Sequence, residues 1–307
     1  MTIDWDTTLT PDKFPNKIKE IFYNQNILQR KKYTKWIGEI SKKNNKLPEW
    51  WSTNTVTRNP YISNIYRAIC IIETIKKLKK NHSFNLIVNS IELKKVIQNI
   101  FSNTKKINSI KLKKNSYKLY NFFIFFKSIF FHIIIYLTIN LFVKKNKVKE
   151  KAILLNTYPS LNPLVPERLY KLKNNLKNNK VVNFYFVPTF IITRKFYELW
   201  KIIQILKKEK NYIFKEHHLS KKNFLYSILH FYRSRKFIDK FHKYNGYNLS
   251  ILVNAEIKSV SNYSSRINCM LNYYFFEELR LKKIKLKKCV SWLENQPDKL
   301  WNFGLNK

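Results

Sequence analysis

Residues 120–143 read YNFFIFFKSIFFHIIIYLTINLFV, and no other stretch of this 307-residue chain limits its fold as strongly. Six of the 24 residues are not apolar: Asn121, Lys127, Ser128, His132, Thr138 and Asn140. A helix needs about 20 predominantly apolar residues to cross a bilayer, so the segment is long enough. Its flanks are basic on both sides, with Lys111, Lys113, Lys114 and Lys118 before it and Lys144, Lys145, Lys147 and Lys149 after it. Asymmetric Lys/Arg is what orients a span. Symmetric flanks fit better a helix or helical hairpin lying on an anionic surface, with Phe122, Phe126, Phe130, Ile134 and Leu137 as membrane contacts and Lys127 snorkelling. The segment also lies between strand-like stretches expected in one sheet, and a crossing would put the halves of that sheet on opposite sides of a membrane. Surface insertion and a buried crossover helix therefore rank equally, with a single transmembrane helix third.

Around this segment the hydrophobic period alternates. Residues 1–50 read as helical and basic. After the loop closed by Pro60, Ser63 or Asn64 can cap a helix in which Ile65, Ile69, Ile72, Ile75 and Leu78 form one apolar face. Strand-like stretches follow at 84–90, 107–112, 151–160, 181–189, 211–216, 249–255 and 287–293. Helical ones lie at 91–101, 165–178, 193–209, 220–244 and 257–284. Such alternation predicts an α/β fold, a mainly parallel sheet with helices on both faces. The expected organisation is a helical N-terminal segment (1–82), an α/β domain (83–293) carrying the apolar helical insertion 117–145, and the start of a linker helix at 294–307. Ligands of such sheets bind beyond the carboxyl ends of the strands. Asn156, Tyr158, Pro188, Thr189 and the triplet Glu294, Asn295 and Gln296 fall there, although Asn, Pro and Ser also fill ordinary turns.

Composition excludes several chemistries. Three glycines, Gly38, Gly246 and Gly304, can build neither a Walker A loop nor a GxGxxG fingerprint. Cys70, Cys269 and Cys289 are odd in number and far apart, so neither a zinc site nor a disulfide framework is expected, and a reducing compartment is implied. The polar start MTIDWDTTLTPDKF does not read as a secretory signal. The formal charge of +40 would suit nucleic acid, yet only nine of the 59 basic residues are Arg, and the Lys are spread along the whole chain. Abundant Lys, Asn, Ile and Phe fit an A/T-rich codon drift, so nucleic acid is not the expected partner. Glu216, His217 and His218 are adjacent, and on a strand neighbouring His point to opposite faces and do not share a metal. No GxSxG elbow is present for Ser–His–Asp chemistry.

The closing stretch VSWLENQPDKLWNFG resembles a motif of bacterial surface-carbohydrate (O-antigen or capsule-type) biosynthesis proteins, which look like glycosyltransferases of the two-domain GT-B type. In that family an ENQ triplet follows a strand and precedes an aromatic-containing helix. The frequent ENQPWE reads ENQPDK here, with Lys299 in place of an acid. WWSTNTVTRNPYISNIYRAI, from residue 50, is similar to the family's Trp-rich segment and its Ser/Arg/Lys–Asn–Pro turn. The resemblance covers residues 50–307 through two short motifs and their order. It implies a Rossmann-like sheet and the acceptor-side half of a surface-polysaccharide glycosyltransferase. Glu294, Asn295 and Gln296 would line the interdomain cleft, joined by Arg58 and Arg67. The nucleotide-sugar donor is expected in a domain outside this chain, which itself would carry no cofactor and no metal and would not turn over alone. A lipid-linked or glycan acceptor, an anionic membrane surface and a cytoplasmic location peripheral to the inner membrane complete the implied setting. The alternative is a non-catalytic membrane-associated protein anchored through 120–143.

Overall fold

A computed structural model describes residues 2–53, 56, 63–78, 82–104, 106–113, 117–159, 183–190, 195–234, 242–259 and 263–290. The elements begin with strand β1 (Thr2–Asp6), helices α1 (Asn16–Lys43), α2 (Pro48–Trp51) and α3 (Asn64–Lys77), β2 (Ser83–Val88), α4 (Ile91–Phe101) and β3 (Ile107–Leu112). Next come α5 (Tyr117–Phe142), β4 (Ala152–Thr157), β5 (Phe184–Pro188), α6 (Phe196–Leu206), α7 (Lys221–Ile228) and α8 (His230–Ser234). The hairpin β6 (Lys243–Tyr244) and β7 (Tyr247–Asn248), α9 (Ser250–Lys258), α10 (Tyr263–Leu281) and β8 (Leu286–Val290) follow. The chain divides into two compact units, Met1–Tyr120 with Tyr232–Ser259, and Asn121–Phe231 with Val260–Lys307.

The first unit holds a parallel sheet in the order β1-β2-β3. Its strands alternate: in TIDWD and SFNLIV, Ile3, Trp5, Phe84, Leu86 and Val88 are buried while the residues between them are not. Alternation of this kind belongs to a sheet with one apolar face. The topology gives the reason. Both crossovers step the same way along the sheet, and right-handed crossovers in one direction lay their helices on one face. The apolar cluster of this unit lies there, drawing on α1 (Ile18, Phe22, Ile37), α3, α4 (Leu93, Val96, Ile97) and α9 (Leu252, Val253). The opposite face is polar: Asn85 Nδ2 donates to Asp4 Oδ1 (2.7 Å) and Ser109 Oγ donates to Asn85 Oδ1 (2.9 Å).

Helix α3 starts at Ser63, whose Oγ accepts from Tyr66 N. All five residues of its expected apolar face are buried, but so are Tyr66, Ala68, Cys70 and Ile71, so burial extends well beyond one-third of the circumference. The hairpin adds a second cover: Asn245 (φ 47°) and Gly246 (φ 85°) form its tip in the left-handed pair of conformations that an Asn-Gly turn favours. Asn245 Nδ2 donates to Glu73 Oε1 on α3 (3.0 Å), and Tyr244 OH donates to Gln29 Oε1 on α1 (2.9 Å).

The second unit holds a parallel sheet in the order β5-β4-β8. Here the chain steps from β4 to β5 and then back past β4, which winds the sheet in both directions and covers both faces. AILLNT and FYFVP are accordingly buried almost continuously. Ala152, Leu154 and Val187 pack with Tyr263, Ile267, Leu271 and Phe275 of α10, while Leu155, Phe184 and Phe186 pack with Leu199, Ile202 and Ile203 of α6. Helix α5 contributes to both clusters, Phe125 to the first and Ile135 and Ile139 to the second.

Several expectations are corrected. A single sheet over 83–293 gives way to two sheets, with β3 in one and β4 in the other. The objection to a membrane crossing that rested on one shared sheet therefore falls. Helices on both faces hold for the second sheet; among the described residues the first has them on one face. Residues 2–6, read as part of a helical segment, are a strand pairing with β2. Of residues 249–255, read as a strand, Leu249 caps helix α9 and the rest belong to it, because a short apolar run does not distinguish the two by period. Residues 211–216 provide only an isolated Phe186–Tyr212 bridge and then a 3-10 turn, Lys215–His217.

Candidate functional site

Helix α10 is buried over most of its surface, yet Ser264, Asn268 and Asn272 recur every four residues and so share one stripe. Its neighbouring stripe, Ile267, Leu271 and Phe275, packs into the core and fixes the helix on sheet β5-β4-β8. The polar stripe thereby meets the carboxyl ends of β4 and β5. Lys215 enters the same space from the 3-10 turn after the Phe186–Tyr212 bridge.

Lys215 is 0% exposed. Its Nζ donates to Asn272 Oδ1 (2.9 Å), Thr189 Oγ1 (3.4 Å) and Asn268 Oδ1 (3.5 Å). Thr189 Oγ1 donates in turn to Asn156 Oδ1 (3.0 Å), and Asn268 Nδ2 donates to the Phe190 carbonyl (3.3 Å). Two buried polar atoms at this edge, Asn272 Nδ2 and Thr157 Oγ1, have no hydrogen-bond partner among the described residues. Taking an ammonium out of water costs several kcal/mol. These partners return part of that through their oxygens.

Two titratable groups beside the cluster respond to it. His132, on the inner side of α5, pairs through Nε2 with Ser264 Oγ (3.0 Å). Burial, then the Lys215 charge, push its pKa down to about 3, so the ring is neutral. Burial raises the Glu216 carboxyl, while neighbouring Lys215 opposes the rise. His217 and His218 are structural: their Nε2 atoms meet the Ile139 carbonyl (3.0 Å) and the Asn146 carbonyl (3.1 Å). Among the described residues no three His, Cys, Asp or Glu side chains gather to hold a metal.

The sequence candidates separate. Asn156 is in the cluster, and Tyr158 follows it, half-buried, just past the end of β4. Arg67 is elsewhere, in the first unit, where its Nη2 donates to the Thr7 (2.8 Å) and Leu9 carbonyls and its guanidinium lies over the Phe14 ring (5.9 Å). It clamps the turn after β1, a structural task. Arg58, Glu294, Asn295 and Gln296 lie outside the described residues, as do 165–178. Lys215, Asn268 and Asn272 were not anticipated. The signal for the two asparagines was their four-residue spacing from Ser264, which the aromatic residues beside them masked. Arg233, expected on a solvated face, pairs with Glu49 (2.8 Å).

The expected membrane contacts are all on one exposed side of α5: Phe122 (61%), Phe126, Phe130 (61%), Ile134 and Leu137. By length and composition Phe122–Phe142 is apolar enough to cross a membrane, and 33% of it is buried against the protein. No family model, curated protein or solved structure matches this chain.

Proposed function

We propose that this chain is the acceptor-side part of a GT-B-like glycosyltransferase of surface-polysaccharide synthesis, peripheral to the cytoplasmic face of the inner membrane. The observation that carries the reading is Lys215, fully buried at the carboxyl ends of β4 and β5 and held by Thr189, Asn268 and Asn272. In open parallel sheets ligands bind beyond the carboxyl ends of the strands, and Asn156 and Thr157 end β4. A buried ammonium with an amide donor beside it suits a phosphate or diphosphate, which a lipid-linked sugar acceptor carries. The polar partners orient that group.

Calorimetric titration of the full chain with a short-chain polyprenyl diphosphate sugar tests this. Binding is expected, weakened at least tenfold in Lys215→Met and in Asn268→Ala. Equal affinity in both variants, or no binding by the parent chain, overturns it. The exposed face of α5 favours a second reading, a non-catalytic membrane-associated protein anchored through 120–143. That reading predicts vesicle binding without diphosphate-sugar binding, and the same titration separates the two.

A further inference from the structure

Helix α5 has two unlike sides. At 100° per residue, Phe122, Phe126, Phe130, Ile134, Leu137 and Leu141 fall within an arc of about 120°, and all six are exposed. Phe125, Ser128, His132, Ile135 and Ile139 point the other way and are buried. The buried side is committed: His132 meets Ser264, and His217 meets the Ile139 carbonyl. A crossing helix needs hydrocarbon or other spanning helices all round it. This one is held on its inner side, through Phe125, Ile135 and Ile139 in the core clusters and through His132 on Ser264, so only its outer arc is available to lipid.

Two further helices adjoin α5. Phe142 packs edge-on against Trp200 of α6 (5.4 Å), and Tyr136 stacks on Phe224 of α7 (4.0 Å). Beyond these contacts α6 exposes Phe196 and Tyr197, and α7 exposes Leu225 and Tyr226. Each flank carries a lysine over an exposed tyrosine, Lys201 over Tyr197 (4.4 Å) and Lys222 over Tyr226 (5.9 Å). Amphipathic aromatic rings and long cationic side chains together are the composition of a bilayer interface. Exposed Lys127 borders the arc, and exposed Lys144, Lys145 and Lys147 follow α5, while no Asp or Glu occurs from 121 to 149.

We infer that α5, flanked by α6 and α7, docks in the plane of an anionic bilayer surface, its outer arc buried at the level of the headgroups and upper acyl chains and its lysines on the lipid phosphates. This rests on the membrane-peripheral location in the proposed function and on nothing in its chemistry. Failure here leaves the diphosphate-sugar titration unaffected, and failure of that titration leaves this docking intact.

Flotation of the full chain with vesicles provides the first test. Binding is expected to phosphatidylcholine vesicles containing phosphatidylglycerol, at least tenfold above pure phosphatidylcholine, and to fall with salt. The triple variant F126E/F130E/I134E, altered only at exposed positions, is expected to keep the parental circular dichroism and lose at least tenfold in partitioning. Unchanged flotation of that variant, or no flotation of the parent, overturns the proposal. Depth is read with an environment-sensitive fluorophore on Phe126→Cys or Leu137→Cys in a Cys289→Ser background. These positions are about 16 Å apart along the helix axis. In-plane docking gives both probes the same shallow depth. Probes at different depths mean a crossing, and a lipid-free dimer that shields both positions from labelling means a second copy covers the arc. Either result refutes the inference.

Discussion

The two sheets of this molecule are both parallel and both three-stranded, yet they are built on different physical terms. Sheet β1-β2-β3 alternates apolar and polar residues and keeps one face as a hydrogen-bonded polar surface. In sheet β5-β4-β8, β4 and β5 are apolar on both faces, and the buried polar groups gather at one end. Strand order separates them. Stepping in one direction puts the connections on one side; reversing direction uses both and opens a crevice at the reversal. The polar face of the first sheet is solvent-accessible, and its Asp4, Asn85 and Ser109 side chains pair with one another. The polar end of the second is buried, carries a charge and, among the described residues, leaves Asn272 Nδ2 and Thr157 Oγ1 without partners. A ligand site is therefore argued only for the second.

The largest effect that bears on this comparison comes from deleting core volume. Phe186→Ala, at a fully buried position of β5, should cost about 3–5 kcal/mol in urea unfolding. Asn85→Ala, on the open face of the first sheet, should cost less than about 1 kcal/mol. Similar losses would mean that both faces of the first sheet are covered after all.

Acid should strain the second unit next. His218 has its pKa lowered from 6.5 to about 4, by burial first and then by Lys145 and Lys282. As pH falls below 6.5, the unfolded chain takes up a proton that the folded chain refuses. Stability is thus lost between about 6.5 and about 4, by at most about 3 kcal/mol for this group. His132 acts in the same direction. Glu216, with a raised pKa, acts oppositely: its contribution is present below its unfolded value and is lost as pH rises through the folded one. A His218→Gln variant should therefore show a shallower acid slope than the parent in unfolding measured from pH 7 to pH 4. An unchanged slope would place His218 in water.

A smaller contrast concerns the buried lysine. Asn272→Ala removes its closest amide acceptor and should cost about 1–3 kcal/mol. Lys215→Met, which removes the charge instead, should be nearly neutral or stabilising. A large loss from the methionine variant would make the ammonium a structural requirement and weaken its assignment to a ligand. Smallest of all, Ser90→Ala in the first unit removes the cap that accepts from Leu93 N (3.1 Å) and should cost about 1 kcal/mol by chemical denaturation.

Much of this architecture was legible from local pattern. Ile91–Phe101 and Ile107–Leu112 fall where period and capping put them, and Pro188 ends its strand. Asn156 could be picked out because it closes an apolar strand. The exposed side of α5 was also readable, since Phe122, Phe126, Phe130, Ile134 and Leu137 share a helical face whatever surrounds them.

By itself, then, the sequence determined the α/β class, most element positions and the amphipathic phase of α5, because these depend on residues within a few turns of one another. Tertiary structure alone decided that the strands form two sheets, that residues 2–6 pair with residues 83–87, and that α5 has a buried polar side. It also decided that Lys215 is, among the described lysines, the one with no exposure. The physical reason is shared. Strand pairing and burial are set by contacts between residues far apart in the chain, and a lysine in a basic sequence looks like any other until the fold removes water from it.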